Sequence, residues 1–416
     1  MRSSVAVIGS GVSGLTAAYV LGRDRDVTLF EADGRFGGHA HTHQVDEHAV
    51  DSGFIVHNDR TYPLLRRLFD ELDVAVQPTE MSMSIRCDGC GLEYAGGRGA
   101  TGIFAQRRRV ADPRFLRLLV SIKRYQRLAL ALLVRQESVD DPQTYGEFLR
   151  LHGFSDHFVA HYAIPVVSCV WSSGHESALA YPARYLFEFL KHHGFLSVSG
   201  SPQWFTVRGG SQSYVRKVTD AVGDVRSSTP IRAVSRKPDG VELLDAHGTV
   251  HRADAVVIAT HADDALALLT DATNDERRVL GAFEYSRNEA VLHRDGGLLP
   301  DAEAARSSWN YRMDDCASRL GSTAVNYWMN RLQGLESERP FLVTLNSTDR
   351  IDAATVIATM QYSHPIYTTS SVAAQRELPS LSTGRTAFAG SYHGWGFHED
   401  GCRSGVQAAA ALGVDW

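Results

Sequence analysis

The feature that most constrains this chain is an apolar strand running straight into a glycine turn. Val5-Ala6-Val7-Ile8 is followed by Gly9-Ser10-Gly11-Val12-Ser13-Gly14 and a helix-forming stretch from Leu15 to Leu21. Gly9 permits the tight turn, Gly11 has no Cβ to obstruct a pyrophosphate, and Gly14 lets the helix pack on the strand. The helix start at Val12 and Ser13 offers free N–H groups to an anion. Val27-Thr28-Leu29-Phe30 reads as the next parallel strand and ends in Glu31, a carboxylate suited to ribose hydroxyls and hostile to a 2′-phosphate. A dinucleotide is expected at residue nine, with Glu31 and Ala32 at its ribose.

The segment beyond the acid indicates which dinucleotide. Arg35-Phe36-Gly37-Gly38-His39 resembles the R-x-G-G-R/H element of the glutathione-reductase-like flavoproteins, whose backbone lies along the FAD pyrophosphate. Nicotinamide-only dehydrogenases lack it. Far along the chain, Thr386 to Ser391 reads as a short buried strand closing on Gly390, and Glu399 to Gly405 opens an alanine-rich helix. In the same superfamily a late A-G element contacts the ribityl phosphate side. The following helix points its N-terminus at the flavin pyrimidine, where it stabilises negative charge on the reduced ring. The resemblance thus places Gly390, Ser391, Glu399, Asp400 and Gly401 at the flavin, with Ser391 standing where an acid often follows the glycine.

Further segments resemble the phytoene desaturase and monoamine oxidase superfamily. Arg208 to Tyr214 looks like its G-G-x-x-x-L turn, Asp254 to Thr260 like its late D-x-V-V-x-A-x strand, and Asp51-Ser52-Gly53-Phe54 like its D-x-G segment near the flavin. The nearest likeness is a group of bacterial predicted NAD/FAD-binding proteins. They share G-G-H-x-H-T, D-S-G-F-I-V-x-N, W-S-S, Y-W-M-N-R-L-Q and G-F-H-E-D-G-x-R-S-G, which reach from residue 38 to 405. Members are often encoded near cyclopropane-fatty-acid-synthase-like enzymes, a hint of lipid chemistry. The resemblance implies an α/β fold: a Rossmann-like FAD-binding domain of the glutathione-reductase-2 type with a discontinuous α+β substrate-binding domain. The first would collect residues 1–75, 205–285 and 380–416, and the second 76–204 and 286–379. Ile231 to Val234, Val241 to Leu244 and Thr249 to His251 read as a three-stranded meander with Asp239-Gly240 and His247-Gly248 turns. By resemblance Val234 would lie near adenine, and Thr260 beside the cofactor.

Composition limits the alternatives. At 416 residues, with 44% hydrophobic and 22% charged, the chain can hold two sizeable cores. A net charge of −6 without a basic, aromatic-laced stripe argues against nucleic acid. The first strand begins at Val5, leaving no room for a signal peptide, and no apolar run reaches membrane-spanning length, so a cytoplasmic protein is expected. Among five cysteines only Cys87-Asp88-Gly89-Cys90 is a close pair. No second C-x-x-C or histidine pair completes a metal site, and Asp88-Gly89 is a favoured two-residue turn, so a hairpin with reduced thiols is expected. His39, His41 and His43 alternate as metal ligands on a strand could, but no carboxylate or cysteine joins them. No metal is expected.

Pro113 opens a long helix to about residue 135, with Phe115, Leu118, Leu119, Ile122, Leu128, Leu132 and Leu133 at helical spacing. Its polar face is basic, through Arg114, Arg117, Lys123, Arg124, Arg127 and Arg135. That face is either simply solvated or a peripheral contact with a membrane surface.

Redox chemistry would belong to the flavin, leaving the protein to place a C–H bond and supply any base. Large aromatics such as Trp171, Trp204, Trp309 and Tyr327 are usually core. Trp395 stands out because Tyr392 to His398 bridges the two flavin-contacting elements. His398 and His393 are the acid/base candidates, since imidazole titrates near working pH, with Glu399 or Asp400 to orient or cap. Flavin amine oxidases commonly hold a water with a lysine at N5. Neither Lys123, Lys191, Lys217 nor Lys237 sits in a segment resembling that site. The expected activity is FAD-dependent hydride removal from a hydrophobic substrate, a fatty acyl or other lipid chain, leaving a double bond. A redox-neutral isomerase, an amine or amino-acid oxidase and a non-catalytic flavin-binding partner are its rivals.

Overall fold

The computed structural model describes residues 3–135, 143–171, 175–197, 200–317 and 323–416; Ser172 and Ser173 of the W-S-S run lie outside them. The chain forms two compact units, residues 1–77, 207–285 and 365–416 in one and 78–206 and 286–364 in the other.

The first unit is built on a five-stranded parallel sheet. Its order is Asp224–Arg226, Asp26–Phe30, Ser4–Ile8, Ala255–Ile258 and Thr386–Phe388. The central strand Ser4–Ile8 is apolar beyond Ser4 because both of its faces are covered. Helix Val12–Leu21 is buried on nearly every side, with Leu15, Ala17, Ala18, Val20 and Leu21 wholly inside. It meets helix His398–Ala411 at close range. A Cβ on Gly401 would stand 2.6 Å from Val12 Cγ1, and one on Gly405 would land on the Ser13 carbonyl.

The meander forms as Ile231–Lys237, Gly240–Asp245 and Val250–Ala253. Its Val234, Val241 and Leu243 share one apolar cluster with Ile8, Phe30 and Ile258. Residues 365–379, grouped by the sequence with the substrate layer, cluster with this unit instead. Ala374 and Leu378 enter the same core, and Glu377 pairs with Arg278 at 2.7 Å. Apolar spacing alone does not say which of two cores a helix joins.

The second unit holds a seven-stranded mixed sheet, ordered Val356–Ile366, Glu284–His293, Leu342–Leu345, Thr323–Trp328, Trp309–Met313, Met83–Cys87 and Leu92–Gly96. Met83–Cys87 runs parallel to Trp309–Met313 and antiparallel to Leu92–Gly96. Cys87 pairs with Leu92, so the hairpin turn has four residues rather than the expected two. Asp88 is drawn out of the ladder by Arg86 and Arg312, each donating at 2.8 Å, while its N–H extends the parallel pairing to Met313 O at 2.9 Å.

Helix Pro113–Val134 is capped by Asp112, whose Oδ1 accepts from Arg114 N at 2.9 Å. It buries Phe115, Leu118, Tyr125, Ala129 and Leu132. The opposite face carries Arg117, Lys123, Arg124 and Arg127 together with exposed Leu116, Val120, Leu130 and Val134, the valines 69% and 79% exposed. Among the described residues no helix is long and apolar enough to cross a membrane.

Candidate functional site

The three glycines of the first turn are required for different reasons. Gly9 has φ +97°, and a Cβ there would stand 2.7 Å from the Ala259 carbonyl oxygen. A Cβ on Gly14 would land on the Gly9 carbonyl. Gly11 has an ordinary φ of −63°, and no atom of the described residues lies within 4 Å of where its Cβ would be. Nothing inside the protein demands a glycine at that position, so the clear space serves something outside it.

What surrounds that space suits an anion. Gly11 caps helix Val12–Leu21 without a side chain, and no acidic residue occupies the first turn, so the positive end of the helix is left open. A Cβ on Gly38 would come within 3.1 Å of Gly11 Cα, so the second glycine run lies against the first. Arg35 Nη1 is buried with no hydrogen-bond partner among the described residues. Ser10, which the sequence reading passed over, ties the parts together. Its N–H donates to Glu31 Oε2 at 2.8 Å, its hydroxyl donates to the same oxygen, and Gly37 N–H donates back to Ser10 O at 3.1 Å. Asp33 N–H donates to Glu31 Oε1 at 2.9 Å, and exposed Ala32 lies between them. The orphaned guanidinium nitrogen, the open helix end and the vacant Cβ position together fit the pyrophosphate of a dinucleotide. Replacing Glu31 by Ala should weaken FAD binding by about 1–3 kcal/mol, the cost of losing a charged hydrogen-bonding group. Titrating apo-protein with FAD measures it, and unchanged affinity would move the ribose contact elsewhere.

Around the far end of the site, rings replace glycines. Phe54 N–H donates to His39 O at 2.7 Å, and a Cβ on Gly53 would strike that same carbonyl. The Phe54 ring stacks on His398 with centroids 3.7 Å apart and planes at 14°. Tyr214 stands edge-on to both rings. His398 Nε2 is buried and has no hydrogen-bond partner among the described residues. Burial, reinforced by His57, lowers the His398 pKa to about 3; burial and then Arg403 take His393 to about 4. The expectation that these imidazoles titrate near working pH is therefore corrected. Both are neutral throughout the physiological range. The loop that carries Trp395 is held by Gln375 Nε2, which donates to Tyr392 O at 2.8 Å and Gly394 O at 2.7 Å. Ser391 contributes its carbonyl to the same loop, accepting from Gly394 N and Gly396 N.

Several residues assigned to the cofactor turn out to be engaged within the protein. Asp51 is buried, and its carboxylate accepts from Ser211 N–H at 3.0 Å, Ser211 Oγ at 2.7 Å and Thr42 Oγ1 at 2.6 Å. Glu399 accepts from Leu64 N at 3.1 Å and Leu65 N at 2.9 Å, capping helix Pro63–Glu71. Asp400 accepts from Phe397 N at 3.0 Å and pairs with Arg403, capping its own helix. Val234 is 0% exposed, and its carbonyl accepts from Thr270 N at 3.1 Å. By contrast Thr260 lies beside the Gly9 turn, and Gly390 N–H is fixed by Ser404 Oγ at 2.9 Å. Within the second unit Trp171 packs on Phe189 at 4.5 Å and Trp309 meets Tyr327 edge-on at 5.9 Å, as core aromatics do.

Comparison with known proteins adds independent information. A family model described as flavin containing amine oxidoreductase matches residues 12–338. Cyclohexylamine oxidase from Brevibacterium oxydans IH-35A superposes over 99% of both chains with a TM-score of 0.73 at 17% identity. A CLA-producing fatty acid isomerase from P. acnes does so over 97% of both chains with a TM-score of 0.67 at 15% identity. These two likenesses are of fold. Protoporphyrinogen oxidase 2 of Arabidopsis thaliana is 69% identical over 35 residues, 8% of this chain, so the chain spans only 7% of the curated relative it matches.

Proposed function

Because the chain belongs to the flavin-containing amine oxidoreductase family, with FAD as its cofactor, we propose that it withdraws hydride from an uncharged hydrophobic substrate. A fatty acyl chain or similar lipid, left with a double bond, is the class that fits. The observation carrying this reading is the neutrality of the His398 surroundings. Asp51, Glu399 and Asp400 are committed to protein donors, and His57, His393 and His398 are held neutral by burial. The lysines are occupied or outward. Lys217 donates to Leu72 O and Asp73 O, Lys237 faces Glu242, and Lys123 and Lys191 are exposed. An ammonium substrate would find no free charge in that group of side chains, whereas a methylene chain needs none.

FAD held by the Gly9–Gly14 turn, Arg35 and Glu31 would supply the hydride acceptor. The protein's part is positional. Phe54 fixes the plane of the His398 ring by stacking, and the proton lost as the double bond forms passes to solvent. The outward face of helix Pro113–Val134 supports supply from a bilayer. It mixes exposed Leu116, Val120, Leu130 and Val134 with four cations, and the helix contains no acidic residue.

Anaerobic titration with acyl lipids in anionic vesicles tests the reading. Bleaching of the flavin is expected, with slower bleaching from neutral vesicles; an unchanged spectrum across acyl lipids counts against it. The fold shared with the P. acnes isomerase keeps a second reading beside it, hydride return to another carbon. Steady product formation without oxygen or another acceptor would select that reading. Peroxide and ammonia release from simple amines would select an amine oxidase.

A further inference from the structure

We propose that the second unit carries a structural zinc site formed by Cys87, Cys90, His161 and Cys316. The four ligand atoms all lie within 4.8 Å of one another. Cys87 Sγ is 3.8 Å from Cys316 Sγ, and Cys90 Sγ is 3.6 Å from His161 Nε2. A tetrahedral zinc with Zn–S of about 2.3 Å and Zn–N of about 2.0 Å separates two sulfurs by about 3.8 Å and a sulfur from a nitrogen by about 3.5 Å. These two spacings match two edges of such a tetrahedron. A disulfide needs sulfurs about 2.05 Å apart, and all five cysteines are free. A redox pair would use two thiols; it would leave the third cysteine and the imidazole without a reason to converge.

The surrounding groups suit the metal. His161 Nδ1–H donates to His157 O at 3.0 Å, which fixes the tautomer and turns the Nε2 lone pair toward the thiols. His161 lies on a single π-helical turn, Val159–Ala163, a distortion often found where a helix must aim a side chain. Arg109 Nη2 donates to Cys90 O at 2.9 Å, and Arg114 acts electrostatically on Cys316; these cations offset the residual negative charge of three thiolates on Zn²⁺. Binding releases the thiol protons to solvent. Four protein ligands leave no open position, so the site is structural rather than catalytic. It ties the 87–92 hairpin turn, the helix around His161 and the loop after Met313. This site stands against the sequence expectation of no metal. His161 lies 71 positions from Cys90 and Cys316 lies 229 from Cys87, beyond any local motif.

The test is metal analysis of the full FAD-loaded chain, produced with added zinc and kept reduced. Wild type is expected to hold about one zinc per chain, and Cys316→Ser, at an exposed position, below about 0.2 with FAD loading retained. Cobalt in place of zinc should give thiolate charge-transfer and intense tetrahedral d–d bands that Cys316→Ser loses. Wild type that stays below about 0.1 zinc per chain after reduction and zinc reconstitution overturns the proposal. So does a Cys316→Ser variant with its full metal content, or a Cys87–Cys316 disulfide found by thiol titration.

Discussion

Gly11→Val is expected to yield a folded, colourless protein. The position has a backbone conformation open to any residue and no protein atom within reach of a Cβ, so the variant should match wild-type apo-protein in far-UV dichroism and melting. The valine side chain instead fills the space kept for the pyrophosphate. FAD affinity should fall at least about 100-fold, or ~2.8 kcal/mol. Gly14→Ala supplies the contrast. Its Cβ would land on the Gly9 carbonyl, so the helix must withdraw from the strand, costing about 1–3 kcal/mol whether or not FAD is present. Flavin absorbance per chain and apo-protein melting separate the two effects. A yellow Gly11→Val protein with wild-type affinity would refute the placement of the cofactor.

Acid should unfold the protein between about pH 5.5 and 4. His57, His193 and His293 are buried, and burial lowers each pKa to about 4. These depressed values mean that the stability due to neutral histidine is full above the unfolded value of 6.5 and is lost as pH falls toward 4. Each group contributes about 3 kcal/mol over that range, so the three together are comparable with the whole stability of a typical domain. Asp51 and Glu399 act in the opposite direction. Burial raises them to about 6 and about 7, so their contribution is full below the ordinary carboxyl range and lost as pH rises through those values. The two windows overlap, so the carboxyls offset part of the histidine effect, and the melting temperature should fall on the acid side by the excess of histidines over carboxyls. His293 shows why a second proton is costly: Nδ1 accepts from Asp295 N at 3.1 Å and Nε2 donates to Thr344 Oγ1 at 2.7 Å. His293→Gln keeps a donor and an acceptor but cannot titrate, so its acid limb should be shallower by about one proton. A wild-type melting temperature unchanged down to about pH 4.5 would contradict this account.

The glycine turn, the parallel strands around it and the meander could be read from sequence because each is fixed by neighbours a few residues away. A tight turn excludes a Cβ whatever the rest of the chain does. Asp51 was assigned to the cofactor by its place in a motif, but its partner Ser211 lies 160 positions away, and only folding reveals that the carboxylate is occupied. The titration of His393 and His398 depends on burial by side chains from other segments, which no motif encodes. Ser10 gave no signal, being the variable letter between two required glycines, although its amide and hydroxyl hold Glu31 in place. Cys87 and Cys90 read as a hairpin with reduced thiols, because His161 and Cys316, which the fold brings to them, sit on a distant helix and loop.

The glycines at 401 and 405 that press on Val12 and Ser13 carry a consequence for biosynthesis. Helix Val12–Leu21 is almost entirely apolar, and the helix that shields it, His398–Ala411, is translated long after it, behind the whole of the second unit. Nascent chains stalled before residue 398 should therefore engage chaperones through that uncovered helix and capture no flavin, which makes cofactor uptake a late step in maturation.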